Sequence, residues 1–145
     1  MRSKHPILTF VIFIFLAGFA YGQQTVTLVC NPAAIDESGA TGACYFVGGE
    51  DVNPEEFTTY ASVGETITWV GQSTSEDDSI DVFMIKYQGG VNVFNREELP
   101  GEATVQGRVE RATPDNEPYK YEIRFKVNST GRLYKIDPLI KSRNQ

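Results

Sequence analysis

The chemistry open to this chain is limited by its histidine content. His5 is the only histidine, so no imidazole follows the first few residues. Imidazole is the usual general base near neutral pH and the commonest nitrogen ligand of zinc and copper. Nucleophilic systems that pair serine or cysteine with histidine are therefore excluded for the rest of the chain. We expect a protein that is not an enzyme.

A run of carboxylates is the sharpest candidate for a metal site. Four acids fall close together in the sequence: Glu76, Asp77, Asp78 and Asp81. Carboxylate oxygens on a loop are ligands that Ca²⁺ prefers. The run lacks the Asp-x-Asp-x-Asp-Gly spacing and the later glutamate of an EF-hand loop. It therefore predicts either a calcium site of another kind or a solvated acidic loop, and no other cofactor is expected.

Adjacent carboxylates elsewhere offer a second kind of chemistry. The pairs are Glu50-Asp51, Glu55-Glu56 and Glu97-Glu98. Two carboxylates across a cleft can hydrolyse a glycosidic bond, one as acid and the other as base or nucleophile. Adjacent surface acids are common in proteins, so a small hydrolase that uses carboxylates alone stays an alternative to the non-catalytic role.

Four aromatic residues are candidates for a binding surface: Tyr45, Tyr60, Tyr87 and Phe94. Aromatic side chains on a sheet can stack on sugars or anchor a protein partner when they are exposed. Trp69, Tyr119 and Tyr121 share faces with aliphatic residues, so we expect them in the core. The expected partner is a protein or a carbohydrate that contacts the exposed members of the four.

Two features predict covalent modification. Cys30 and Cys44 are the only cysteines, and an even pair in an oxidising compartment most simply forms one disulfide. Closing a loop of about 15 residues stabilises a fold by roughly 3 kcal/mol in the chain-entropy model. A reactive or metal-binding thiol pair is the alternative. Asn128-Ser129-Thr130 is a glycosylation sequon in a predicted turn, which matters only in a host that glycosylates exported proteins.

Residues 1–22 have the pattern of a secretory signal peptide. Arg2 and Lys4 supply the positive start, and residues 7–19 are almost wholly apolar. This apolar run is shorter than the roughly 20 residues that a membrane-spanning helix needs. Small residues at Ala20 and Gly22 precede the expected cleavage site. We predict a mature chain that begins at Gln23, has no membrane span, and is secreted or periplasmic.

The predicted mature chain, residues 23–145, has the length of one domain. Loss of Arg2 and Lys4 leaves 11 of the 13 basic residues against 19 acidic residues, a net charge of about −8. No run of lysine or arginine stands out. Nucleic acid and anionic membrane surfaces are therefore poor candidate partners, and the expected partners lie in the envelope or outside the cell.

The elements that position these residues are predicted by a two-residue period. In Tyr119–Val127 apolar and charged residues alternate, which is typical of a strand with one buried and one solvated face. Thr66–Val70 is a second strong strand, which ends at Gly71. Other short segments follow at intervals of about eight to twelve residues with polar turns between them. The pattern predicts an all-β fold, either a sandwich or a Greek-key barrel, and we expect a Greek-key β-sandwich.

Two segments resemble the cupredoxin-like fold. Val63–Val70 is similar to the cupredoxin strand that precedes a ligand histidine, and Tyr119–Ile123 looks like the tyrosine-rich strand that leads to the copper-binding cysteine. The resemblance would place copper ligands near Ser79–Asp81 and at Ile123, where neither histidine nor cysteine occurs. A blue-copper site needs two imidazoles and a thiolate. The resemblance therefore implies a cupredoxin-like sandwich without copper.

An immunoglobulin-like sandwich is the alternative architecture. Its cysteine–tryptophan–cysteine order is absent, because Trp69 follows both Cys30 and Cys44. The sequence thus predicts a secreted or periplasmic, non-catalytic binding or structural module. A calcium- or carbohydrate-binding module and a hydrolase that uses carboxylates are the alternatives.

Overall fold

A computed structural model describes residues 22–145, which form ten β-strands in two sheets packed face to face. In chain order the strands are β1 Gln23–Cys30, β2 Cys44–Phe46, β3 Thr58–Ser62, β4 Thr66–Ser73, β5 Ile80–Gly89, β6 Glu98–Pro100, β7 Thr104–Arg108, β8 Tyr119–Val127, β9 Arg132–Ile136 and β10 Leu139–Arg143. Three single turns of 3₁₀-helix are Pro32–Ala34, Thr41–Ala43 and Pro54–Glu56. The predicted all-β sandwich is confirmed.

Both sheets are mixed rather than purely antiparallel. The four-stranded sheet has the order β2-β1-β4-β7, and the six-stranded sheet has the order β3-β10-β8-β5-β6 with β9 also on β8. β1 runs parallel to β4, and β3 runs parallel to β10. Parallel neighbours need a crossover, so each of these pairs joins segments that are distant in the sequence.

β9 and β10 lie end to end along the same side of β8. Ile136 lies opposite Ile123, and Leu139 lies opposite Lys120, so both strands keep the same register on β8. Pro138 separates them because it has no N–H to donate. Its carbonyl still accepts the Tyr121 N–H at 3.2 Å, and the chain therefore stays on the sheet through the break.

The core lies between the sheets and is rich in aromatic residues. Trp69 and Tyr121 are fully buried, from β4 in one sheet and β8 in the other. The Trp69 Nε1–H donates to the Tyr121 hydroxyl at 3.0 Å, which satisfies two polar groups that would be costly to bury alone. Their ring centroids lie 5.8 Å apart in an edge-to-face arrangement. The pair joins the two layers across the core, where the sequence predicted both side chains to lie.

The predicted disulfide is confirmed. Cys30 and Cys44 lie opposite each other on β1 and β2 and are bonded. The predicted signal peptide falls outside the described residues apart from Gly22. Within residues 22–145, no helix is long and apolar enough to cross a membrane.

Candidate functional site

The acidic loop, residues 76–81, connects β4 to β5 and contacts the turn between β8 and β9. One Asp78 carboxylate oxygen accepts the N–H groups of Ser129 at 2.9 Å and of Ser79 at 2.8 Å. Its other oxygen accepts the Ser129 hydroxyl. Hydrogen bonding from that hydroxyl holds the pKa of Asp78 below its usual range. Both oxygens of this carboxylate are thus used within the fold.

Asn128 ties the same turn to the start of β5. Its side-chain amide donates to the Asp81 carboxylate at 2.6 Å and to the Ser79 hydroxyl. Its backbone N–H donates to the Ser79 carbonyl at 3.0 Å. The amide nitrogen that a glycan would modify is therefore already a donor in two hydrogen bonds.

The four candidate calcium ligands divide into two pairs in the structure. Asp78 and Asp81 bond to the β8–β9 turn, whereas Glu76 and Asp77 are exposed. In the described part of the chain, no group of three or more His, Cys, Asp or Glu side chains is placed to hold a metal ion. The carboxylates that are close in sequence are thus not gathered around one point.

The two positions that the cupredoxin resemblance compares with copper ligands are not neighbours. Ile80 lies opposite Val127, next to the Asn128 turn. Ile123 lies opposite Ile85, further along β8, and is fully buried. The start of β5 therefore lies beside Asn128, and Ile123 lies further along the sheet.

The four candidate binding aromatics differ sharply in exposure. Phe94 is 4% exposed and packs edge-to-face on Trp69 and Tyr119, so its assignment to a binding surface is wrong. Tyr87 is half-buried and donates its hydroxyl hydrogen to the Gly90 carbonyl. Tyr45 on β2 is also half-buried. Tyr60 is 69% exposed and is the only aromatic residue that is exposed in the described range.

Tyr60 borders a cleft of about 530 Å³, here called the Tyr60 cleft. The residues that line it include Tyr60, Ser62, Glu65, Asp115, Lys141 and Arg143. The parallel pairing of β3 with β10 sets Lys141 opposite Tyr60 and Arg143 opposite Ser62. An exposed ring and two cations therefore share one face of the sheet.

Hydrogen bonds fix the wall of the Tyr60 cleft beside β10. The Ser142 N–H donates to the Thr113 hydroxyl at 3.0 Å, and the Thr113 N–H donates to the Ser142 carbonyl at 2.9 Å. The Ser142 hydroxyl donates to the Arg111 carbonyl at 2.6 Å. This ladder holds the segment that carries Asp115 against β10.

The polar groups of the Tyr60 cleft include both signs of charge. Lys141 and Arg143 form no ion pair with any described residue. One Glu65 carboxylate oxygen accepts the Ser62 N–H at 2.8 Å. The cleft thus offers an aromatic face, cationic donors and carboxylate acceptors, a combination suited to binding a polar ligand.

An ion cluster around one buried carboxylate, on the outer face of the six-stranded sheet, was not predicted from the sequence. Glu122 was expected on a solvated face but is only 3% exposed. Gln88 and Lys135 each donate to it at 3.2 Å, and Arg124 donates to its second oxygen. Burial alone would raise the pKa of Glu122, but the hydrogen bonds and positive charges of Arg124 and Lys135 outweigh it and the pKa is lowered. The covering side chains come from three strands, which a single-strand pattern does not reveal.

Comparison with known proteins identifies no relative in sequence. No family model matches the chain, and no curated protein matches it. Among solved structures, the inclusion body protein PixA from Burkholderia cenocepacia J2315 matches with a TM-score of 0.48 and 10% sequence identity. The match covers 88% of this chain and 99% of that chain. This similarity assigns neither a family nor a function to the chain.

Proposed function

We propose that this chain is an exported, non-catalytic binding module whose ligand occupies the Tyr60 cleft. The single observation that carries the proposal is the 69% exposure of Tyr60 beside a cleft lined by charged side chains. Exposed aromatic residues next to polar groups are characteristic of recognition surfaces. The ring supplies a stacking face, and Lys141 and Arg143 supply donors for an acceptor on the ligand.

The non-catalytic part of the proposal rests on the chemistry of the side chains. No imidazole follows His5, and both cysteines are joined in the disulfide. A general base or thiolate nucleophile of the usual kind is therefore missing from the predicted mature chain. Recognition without bond making or breaking requires only the exposed groups of the cleft.

We also propose that the sandwich is cupredoxin-like and holds no copper. In support, Val63–Val70 and Tyr119–Ile123, the segments that carry the resemblance, contribute Trp69 and Tyr121 to one hydrogen bond across the core. The side chains that blue copper requires do not occur after His5 as free ligands. Metal analysis of the exported protein tests this, because copper at one equivalent would contradict it.

The binding proposal is tested by screening the mature protein against a glycan array and a peptide array. Tyr60→Ala should abolish the signal of any ligand that the wild type retains. Tyr45→Ala is the matched control, because Tyr45 is a half-buried tyrosine on the other sheet. A ligand that binds Tyr60→Ala as well as it binds the wild type would place the site elsewhere.

Export is supported by the signal pattern of residues 1–22 and by the compartment that a disulfide favours. Expression of the full chain in a secreting host, followed by mass spectrometry of the exported product, tests it. The expected product begins at Gln23 and contains no free thiol. A product that keeps residues 1–22 would contradict signal cleavage.

A further inference from the structure

β3 has one paired edge and one open edge. The Phe57 carbonyl accepts the Leu139 N–H, and the Val63 N–H donates to the Arg143 carbonyl, both at 2.9 Å. Because backbone groups alternate in direction along a strand, those of Thr58 and Tyr60 point away from β10. The Ser62 N–H confirms this direction, since it bonds to Glu65 rather than to β10.

The open edge of β3 ends at Ser62, where Glu65 takes the backbone groups. The Glu65 carboxylate accepts the Ser62 N–H at 2.8 Å, and the Glu65 N–H donates to the Ser62 carbonyl at 3.0 Å. No described strand pairs with the outer edge of β3. Natural edges are usually blocked by proline, charge or shortness, but β3 has five residues with neither proline nor charge. The groups left open are the N–H and C=O of Thr58 and of Tyr60.

We infer that this edge takes an extended peptide of a partner protein as an added strand, an inference that rests on the proposed function of the Tyr60 cleft. An extended peptide presents an N–H and a C=O at every second residue, about 6.6 to 6.8 Å apart. This repeat matches the open groups of Thr58 and Tyr60. A sugar has no such fixed alternation of donors and acceptors, so the main-chain pattern favours a peptide.

The side chains on the same face define the chemistry of the peptide. Lys141 and Arg143 lie opposite Tyr60 and Ser62 and form no ion pair with the described residues. An acidic side chain on the added strand complements these two cations, although the chain as a whole carries a net charge of −6. The partner segment is thus an extended peptide with an acidic residue that lies beside the Tyr60 ring.

The test uses a synthetic probe, acetyl-Thr-Val-Asp-Val-Thr-amide, and two variants of the mature protein. Thr58→Pro removes one outward N–H and keeps the Tyr60 ring. The backbone of Phe57, with φ −62° and ψ 130°, already has the extended conformation that a following proline requires. Tyr60→Ala removes the ring and keeps the N–H. Thermal unfolding of each variant shows whether the fold is retained.

In the wild type, the probe should shift the amide resonances of Thr58 and Tyr60 and slow their hydrogen exchange. We expect Thr58→Pro to weaken binding about tenfold, as loss of a main-chain hydrogen bond does. A probe in which asparagine replaces aspartate should also bind more weakly. A probe with N-methyl groups at alternate residues cannot form the main-chain hydrogen bonds. Loss of binding by this probe would support the same inference.

Three results would overturn the added strand, and each can be told apart from a failure of the proposed function. Binding that survives Thr58→Pro and is lost in Tyr60→Ala would show a ligand held by the ring alone. No binding of the probe, together with a glycan that needs Tyr60, would show a carbohydrate site. A wild-type dimer that becomes monomeric in Thr58→Pro would show that a second copy occupies the edge. If both variants retained all binding, the proposed function would fail as well.

Discussion

The acidic loop and the Tyr60 cleft both gather charged side chains, yet the structure uses those side chains differently. In the acidic loop, Asp78 and Asp81 accept hydrogen bonds from Ser129 and Asn128 of the β8–β9 turn. In the Tyr60 cleft, Lys141 and Arg143 have no ionic partner among the described residues. Clustering of charge in the sequence therefore does not identify a binding site, because what matters is which polar groups remain open.

The difference follows from the chain segments that lie against the start of β5 and against β3. The β8–β9 turn lies directly against the start of β5 and supplies donors to its carboxylates. Beside β3 no such turn is present in the described chain, and only Glu65 reaches the edge. We therefore expect changes in the acidic loop to affect stability, and changes in the Tyr60 cleft to affect binding.

The largest expected effect is on binding by Tyr60→Ala. Loss of an anchoring ring should weaken a ligand found by array screening by about 30-fold or more. Because Tyr60 is mostly exposed, the free energy of unfolding should change by less than about 0.5 kcal/mol. Isothermal titration calorimetry and urea unfolding measure the two quantities. A large loss of stability with unchanged affinity would show that Tyr60 serves the fold rather than binding.

Asn128→Ala should produce the opposite result. It removes two side-chain hydrogen bonds between the β8–β9 turn and the start of β5. We expect the free energy of unfolding to fall by about 1 kcal/mol while affinity for the Tyr60 ligand is unchanged. Asn144→Ala, at an exposed position near the end of the described chain, is the control. Equal stability of the two variants would contradict a structural role for the turn contacts.

Asp78 should make stability depend on pH in the acidic range. Hydrogen bonding by Ser129 lowers its pKa in the folded state below the ordinary value of 3.8. The resulting stabilisation is present above that value and is lost as the pH falls through the folded pKa. In urea unfolding, the stability difference between wild type and Asp78→Asn should shrink as the pH falls below about 4. A difference that grows in acid would have the wrong sign.

Calcium should have the smallest effect. The Asp78 and Asp81 carboxylates already accept hydrogen bonds from the turn, so a calcium ion would have to displace those donors. We predict the same melting temperature in the presence of Ca²⁺ and of a chelator. A rise with Ca²⁺ that disappears in Asp81→Asn would instead make the acidic loop a metal site.

The features that could be predicted from the sequence are those encoded in neighbouring residues. The alternation in Tyr119–Val127 coincides with β8, and Thr66–Val70 lies within β4. The disulfide followed from the presence of only two cysteines. Each depends on a short pattern or on a count, and no knowledge of distant pairing is needed.

The features that sequence reasoning missed depend on long-range pairing. β10 was not predicted, because Leu139–Arg143 has little alternation and follows Pro138. Without β10, the parallel pair that places Lys141 beside Tyr60 cannot be inferred. Phe94 was misassigned for a related reason, since it is buried by Trp69 and Tyr119, which come from different sheets.

We propose that the Tyr60 cleft binds the ligand and that the acidic loop stabilises the fold. Amide chemical-shift mapping of the mature protein with an array-identified ligand tests it most directly. We expect shifts that centre on Thr58, Tyr60, Lys141 and Arg143. Shifts that centre on Asp78, Asp81 and Asn128, with the β3 amides unchanged, would contradict it.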